Sequence, residues 1–126
     1  MSDNLDAHQS FWTKYVFSTD HKVIAKQYMG TGLVMAVLGG LLSLIVRLQL
    51  AAPDQAIAAM GDLPPHTYNA IVTMHATIMV FWVAMPLLVA GFGNLLIPLM
   101  VGADDMAFPR LNMLSFWIFF LSSVVL

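Results

Sequence analysis

Two stretches of this sequence, Tyr28–Val46 and Ile71–Met100, contain no Asp, Glu, Lys or Arg. A bilayer core about 30 Å thick is crossed by about 20 apolar residues in a helix, because lipid offers no partner to an unpaired backbone N–H or C=O. Both stretches satisfy that length, so the chain is predicted to be all-α, a polytopic membrane helix bundle. Composition agrees, with 60% hydrophobic and 10% charged residues and a mean hydropathy of +0.81. The net charge of -2 is not gathered into a run, so nucleic acid is set aside as a partner. The sequence has no cysteine, which excludes disulfides, thiolate metal sites and iron–sulfur clusters held by this segment.

The flanks of the apolar runs suggest an orientation. Residues 1–10 are polar and carry Asp3 and Asp6, unlike the basic start of a signal peptide, and read as a disordered tail. Residues 11–126 form the membrane part. Lys14, Lys22 and Lys26 precede the first run, whereas Leu48–His66 holds Pro53, Asp54, Gly61, Asp62, Pro64 and Pro65 without one Lys or Arg. By the positive-inside bias the N-terminus is cytoplasmic and Leu48–His66 lies outside; Arg110 on the next inner loop agrees. Gly39-Gly40 in the first run marks a helix-packing face. The second run is too long for a straight crossing and must tilt, bend or overshoot; Pro86 with Gly91-Phe92-Gly93 supplies the expected bend, Pro98 weakening the inner end. After a polar turn over Val101–Arg110, Leu111–Leu126 begins a third apolar helix without a closing polar flank, read as cut short.

Few residues in such a chain carry chemistry. His75 is the one histidine inside an apolar run, about 10 Å below the outer surface. It is either a hydrogen-bonded histidine between helices or a ligand to haem iron. Arg47 closes the first run on the same side, either snorkelling to headgroups or donating to a cofactor substituent; Tyr68 falls about two turns outward of His75. At the opposite face Asp104 and Asp105 either solvate a turn and cap the third helix, whose start Pro109 marks, or form the mouth of a hydrated proton path. Asn94 and Asn112 are amides placed where lipid offers no partner. Aromatic residues such as Phe81, Trp82, Phe116, Trp117, Phe119 and Phe120 read as packing or interface anchors, and the methionines as core filler.

Several segments, in order, resemble subunit I of the cytochrome c oxidases, the catalytic subunit of haem-copper terminal oxidases. They are Phe17-Ser-Thr-Asp-His-Lys22, Thr73-Met-His75, Gly91-Phe-Gly-Asn94, Gly102-Ala-Asp-Asp-Met-Ala-Phe-Pro-Arg-Leu-Asn112 and Ser115-Phe-Trp117. The resemblance covers nearly everything after the tail. It implies that His75 is one axial ligand of the low-spin haem A, its partner histidine lying beyond residue 126. It implies that Arg47 bonds the haem formyl group, that Tyr68 lies beside that haem, and that Asp105 is the mouth of the D proton pathway, with Asn94 and Asn112 within it. The implied enzyme takes electrons from cytochrome c through another subunit, reduces O2 to water at a second haem facing copper, and pumps protons. It works with subunits II and III in a bacterial inner membrane. No catalytic residue of the oxygen-reducing centre falls in this segment, which is not active alone.

Three departures from the family pattern stand out. Asp104 replaces a usual proline, Met113 a usual asparagine, and Gln49 a glutamate that in many relatives helps bind calcium or sodium, so that ion site is not carried over. A ubiquinol oxidase of the same superfamily is the nearest alternative, since Leu63-Pro-Pro-His-Thr-Tyr68 partly resembles one. Its quinone-site positions are Leu38, Leu42, Thr67 and Ala70 here, which bring no charge, so cytochrome c is the expected donor. A haem-free proton-conducting or structural membrane subunit is the alternative from another class.

Overall fold

The computed structural model describes residues 12–51, 63–104 and 106–126. The residue 1–10 tail, the middle of the first connection and Asp105 lie outside them. No strand occurs among the described residues, and they form an all-α membrane helix bundle. A short π-helical segment, Trp12–Val16, leads into helix α1, His21–Ala51. Asp20 starts α1: its Oδ1 accepts the Lys22 N–H at 2.9 Å, and its carbonyl accepts from Val23 and Ile24. With 31 residues, α1 is about 46 Å long against a hydrocarbon core of about 30 Å, so its end turns extend past the lipid interior.

Helix α2 runs over Pro65–Val101, 37 residues. Pro65 occupies the first turn, where a missing N–H costs nothing, and Pro64 before it is extended. Its middle is wound wide, as π-helix over Ile78–Ala84 and Pro86–Phe92. The Met85 N–H, for example, reaches back to Val80 O. Proline in an α-helix lacks one donor and meets the carbonyl four residues back; a wider turn relieves that clash, and the second wide stretch begins at Pro86 itself. At Pro86, where the sequence predicts a bend, the helix winds into widened turns. Pro98 does not end α2, which closes four residues later on Gly102 at φ 74°, where the Ala103 N–H bonds Pro98 O at 3.0 Å. Helix α3, Pro109–Val125, opens with proline in its first turn and Phe108 at the capping position.

The chain divides into two compact units. In the unit of Gly30–Leu87, Met35, Ile78 and Val83 form the core, with Met79, Trp82 and Leu87 packed against it. Here α1 and α2 are antiparallel: Gly32 faces Leu87, and Gly39 faces Ile78 and Met79. Only Gly39 of the glycine pair packs, since Gly40 has nothing within 4 Å of where a Cβ would stand; successive helical residues point about 100° apart. In the unit of Met1–Met29 with Leu88–Leu126, the core is Ile24, Tyr28, Met113 and Phe116. Tyr28 meets the Phe116 ring edge-on at 5.2 Å, and Phe17 stacks on Trp117 at 5.3 Å. Trp82, Phe116, Trp117, Phe119 and Phe120 therefore pack in or against these cores, whereas Phe81 is exposed. Outside these cores, large apolar side chains are open, among them Leu33, Val37, Leu88 and Val89. In water each would forgo about 1.5–3 kcal/mol of burial, whereas lipid or further helices remove that cost.

Candidate functional site

The unit containing His75 builds its site from helix packing. Gly39, without a side chain, lets α2 come so close that its backbone carbonyl is within reach of the His75 ring. His75 Nδ1 lies 2.8 Å from Gly39 O. A carbonyl oxygen only accepts, so Nδ1 carries the proton and donates it. Nε2 has no hydrogen-bond partner among the described residues, and its lone pair is the one a metal takes when Nδ1–H is held by a carbonyl. Donor chemistry and ring orientation therefore fit an iron ligand. They equally realise the interhelical hydrogen bond that the plainer sequence reading expects, and the two readings are compatible through different nitrogens.

Arg47 lies eight residues after Gly39 and Tyr68 seven before His75 on the antiparallel partner. Each is therefore displaced about 10–12 Å from the ring, and both in the same direction. Arg47 is exposed and Tyr68 half-buried, and no hydrogen bond joins them among the described residues. The register thus brings both to one level of the helix pair, on one side of the imidazole.

The other unit gathers the polar groups of the second predicted site. Asn94 is 8% exposed, and its Nδ2 donates to Asn112 Oδ1 at 3.1 Å. Asn112 Nδ2 in turn donates to Met106 Sδ at 3.1 Å. Ser115 Oγ donates to Asn112 O at 2.7 Å, which commits its proton, so the 2.9 Å contact with Tyr28 is donated by the tyrosine hydroxyl. A line of polar groups, Tyr28 to Ser115 to the Asn112 backbone and Asn112 to Asn94, therefore crosses an otherwise apolar core. Sequence reading pairs the two asparagines but misses Tyr28 and Ser115. Tyr28 looks like an ordinary aromatic at the edge of an apolar run; Ser115 lies one helical turn after Asn112, the available signal. Met106 departs from the reading of the methionines as filler, because its sulfur accepts a hydrogen bond. Asp104 is exposed, and the start of α3 has no side-chain cap, so the helix-cap reading of that residue is not realised.

Comparison with known proteins gives a consistent answer. The family model described as cytochrome c and quinol oxidase polypeptide I matches residues 23–126. Cytochrome c oxidase subunit 1 of Thermostichus vulcanus is 45% identical over 118 residues, covering 91% of this chain and 20% of the relative. The alternative cytochrome c oxidase subunit 1 of Bradyrhizobium diazoefficiens is 46% identical over 118 residues, 94% of this chain and 19% of the relative. Cytochrome c oxidase subunit 1 of Bacillus sp. (strain PS3) is 45% identical over 112 residues, 89% and 17%. The chain spans about one fifth of the length of these relatives. With the match over residues 23–126 reaching into all three helices, this chain belongs to the cytochrome c and quinol oxidase polypeptide I family.

Proposed function

We propose that this chain is the N-terminal part of the catalytic subunit of a respiratory terminal oxidase, in which residues 11–126 contribute one axial ligand to a low-spin haem and the entrance of a proton path. The observation that carries the reading is the His75–Gly39 hydrogen bond of 2.8 Å. It fixes the ring tautomer and orients Nε2 for a metal, the arrangement by which a histidine ligand is held in place. When bound, haem supplies one-electron redox chemistry of which no side chain of this segment is capable. Arg47, with five donors on a fixed fork, serves to hold a polar edge substituent such as the formyl of haem A. Tyr68 lies at the same level and offers a phenol to that edge. The second haem and the copper ion fall to other parts of the subunit.

Proton delivery is assigned to Asp105 as the entrance, with Asn94 and Asn112 as the first amides beyond it. Tyr28 and Ser115 extend the polar line. Amides neither gain nor lose protons near neutral pH; they order water and donate and accept hydrogen bonds along a path whose carboxylate does the exchanging. Cytochrome c, delivering through a second subunit, is the proposed electron donor. Leu38, Leu42, Thr67 and Ala70 bring no charged group to bind a quinol head. O2 is reduced to water, and the N-terminus faces the cytoplasm of a bacterial inner membrane.

The deciding experiment is a reduced-minus-oxidised absorption spectrum of the full-length subunit in its complex. A low-spin bis-histidine haem signature that is lost in His75→Ala is expected. Full-length protein that binds no haem would leave the haem-free membrane subunit as the better reading.

A further inference from the structure

The backbone of Asn112 is fixed at the start of α3: its N–H donates to Phe108 O at 3.1 Å, and its carbonyl accepts from Ser115 Oγ. The two ends of its side-chain amide are nearly alike in size, so only their partners decide which end faces which way. We propose that Met106 is the positioning residue that makes this choice. Its thioether takes the amide N–H of Asn112 and so sets the polarity of the asparagine pair. The inference rests on the reading of that pair as part of a proton path.

The chemistry of the three groups leaves one arrangement. A thioether sulfur has lone pairs and no hydrogen to give, so it pairs with the Nδ2 end of Asn112 and not with Oδ1. Met106 Sδ lies 3.1 Å from Asn112 Nδ2. Oδ1 is thereby turned to Asn94, which answers with its own Nδ2 at 3.1 Å. The covalent geometry of an amide then puts the Asn94 oxygen on the other arm of its group. One sulfur thus orders two amides. Without an acceptor at that position both amides can reverse together, exchanging roles and keeping their mutual bond, and nothing selects between the two states.

The surroundings of Met106 give its sulfur this task. Met106 lines a cavity of about 280 Å³ whose other walls are Ile97, Pro98, Val101, Ala103 and Ala107, aliphatic side chains without a hydrogen-bonding atom. Polarity matters to a proton path because water beside an amide N–H must accept, whereas water beside an amide oxygen must donate. A file of water passes a proton only when its members point one way along it. The oxygen end of an amide also attracts a passing positive charge that the N–H end repels. Asn94 is buried, so little bulk water is at hand to screen that choice.

The test is steady-state turnover of the intact oxidase in H2O and in D2O. Met106→Leu keeps the volume and removes the acceptor. It should slow turnover by about fivefold, the rate equivalent of one hydrogen bond, and raise the solvent isotope effect above that of wild type, with the haem spectrum unchanged. Met106→Gln, whose amide oxygen can accept from Asn112, should recover most of the rate. In an Asn112→Ala chain, Met106→Leu should change the rate by less than about twofold, because no amide is left to orient. Wild-type turnover in Met106→Leu overturns the proposal. So does an equal loss in Met106→Leu and Met106→Gln, which would make side-chain shape the determinant, or a full fivefold effect that persists in Asn112→Ala. Should the double variant fail to assemble, the comparison of leucine with glutamine decides. Asp105→Asn measured alongside separates the two readings: a slow Asp105→Asn with a normal Met106→Leu overturns the role of the methionine alone, whereas wild-type rates in both remove the proton path itself.

Discussion

A methyl group added at Gly39 would lie 2.8 Å from Met79 Sδ and 3.2 Å from Ile78 Cγ2, whereas one added at Gly40 meets nothing within 4 Å. Gly39→Ala should therefore push α2 away at a cost of about 1–3 kcal/mol, the usual range for overpacking. Gly40→Ala should stay within about 0.5 kcal/mol of wild type. Thermal denaturation of the detergent-solubilised subunit reads both. Because the Gly39 carbonyl holds the His75 ring, Gly39→Ala should also shift the haem absorption band, and Met79→Ala in the same chain should return it towards wild type by making room. A band unmoved in Gly39→Ala would detach that carbonyl from the haem. The asparagine pair calls for a different measurement. Asn94→Ala and Asn112→Ala, alone and together, should show a coupling of about 0.6–2 kcal/mol, the range for hydrogen bonds between membrane helices; additive losses would mean that water, not the partner amide, satisfies each. At this scale the sequence identifies side chains that are costly in lipid, His75 and the two asparagines. It is silent on partners that are backbone or sulfur: the Gly39 carbonyl is a group every residue has, and Met106 reads as filler until the turn before α3 brings it to Asn112.

Helix ends are set by local chemistry that composition does not reveal. Gly102 closes α2 in the left-handed region at φ 74°. A Cβ there meets no neighbour, so the cost of Gly102→Ala is conformational, about 1–2 kcal/mol. Gly102→Asn should lose less, because asparagine visits that region more readily. Ranking the two variants by thermal stability checks the cap, and equal losses would show that something other than backbone conformation is at stake. The three helices themselves were legible from uncharged length, since lipid leaves the backbone no alternative to a helix. Their boundaries were less so. The charge-free run starting at Tyr28 is the hydrophobic middle of a helix that begins at His21, because Asp20 caps it and Lys22 and Lys26 are good helix formers outside the hydrocarbon. Pro86 suggests a bend, but sequence does not distinguish one from the widened turns over Pro86–Phe92, as both relieve the same clash.

For the whole molecule, the proposed division of labour is that His75 serves electron transfer while Asp105 and the asparagines serve proton uptake. His75 belongs to the unit of Gly30–Leu87, and Asn94 and Asn112 to the other. Two functions housed in separate packing units should be separable by mutation. Asp105 itself lies outside the described residues, and its proposed role rests on the resemblance of the Gly102–Asn112 segment. Removing a positioned proton-transfer group costs on the order of 100-fold or more in rate. Asp105→Asn in the intact oxidase keeps the size and hydrogen-bonding reach of the side chain but not its ability to exchange a proton. It should therefore slow turnover by about that lower bound and weaken proton pumping, while the reduced haem spectrum stays as in wild type. His75→Ala should do the reverse in spectroscopic terms, abolishing the low-spin signal. If Asp105→Asn turns over and pumps normally, that carboxylate is only solvating its turn. If it instead perturbs the haem band as strongly as His75→Ala, the two functions share a structural determinant that the division into units does not contain.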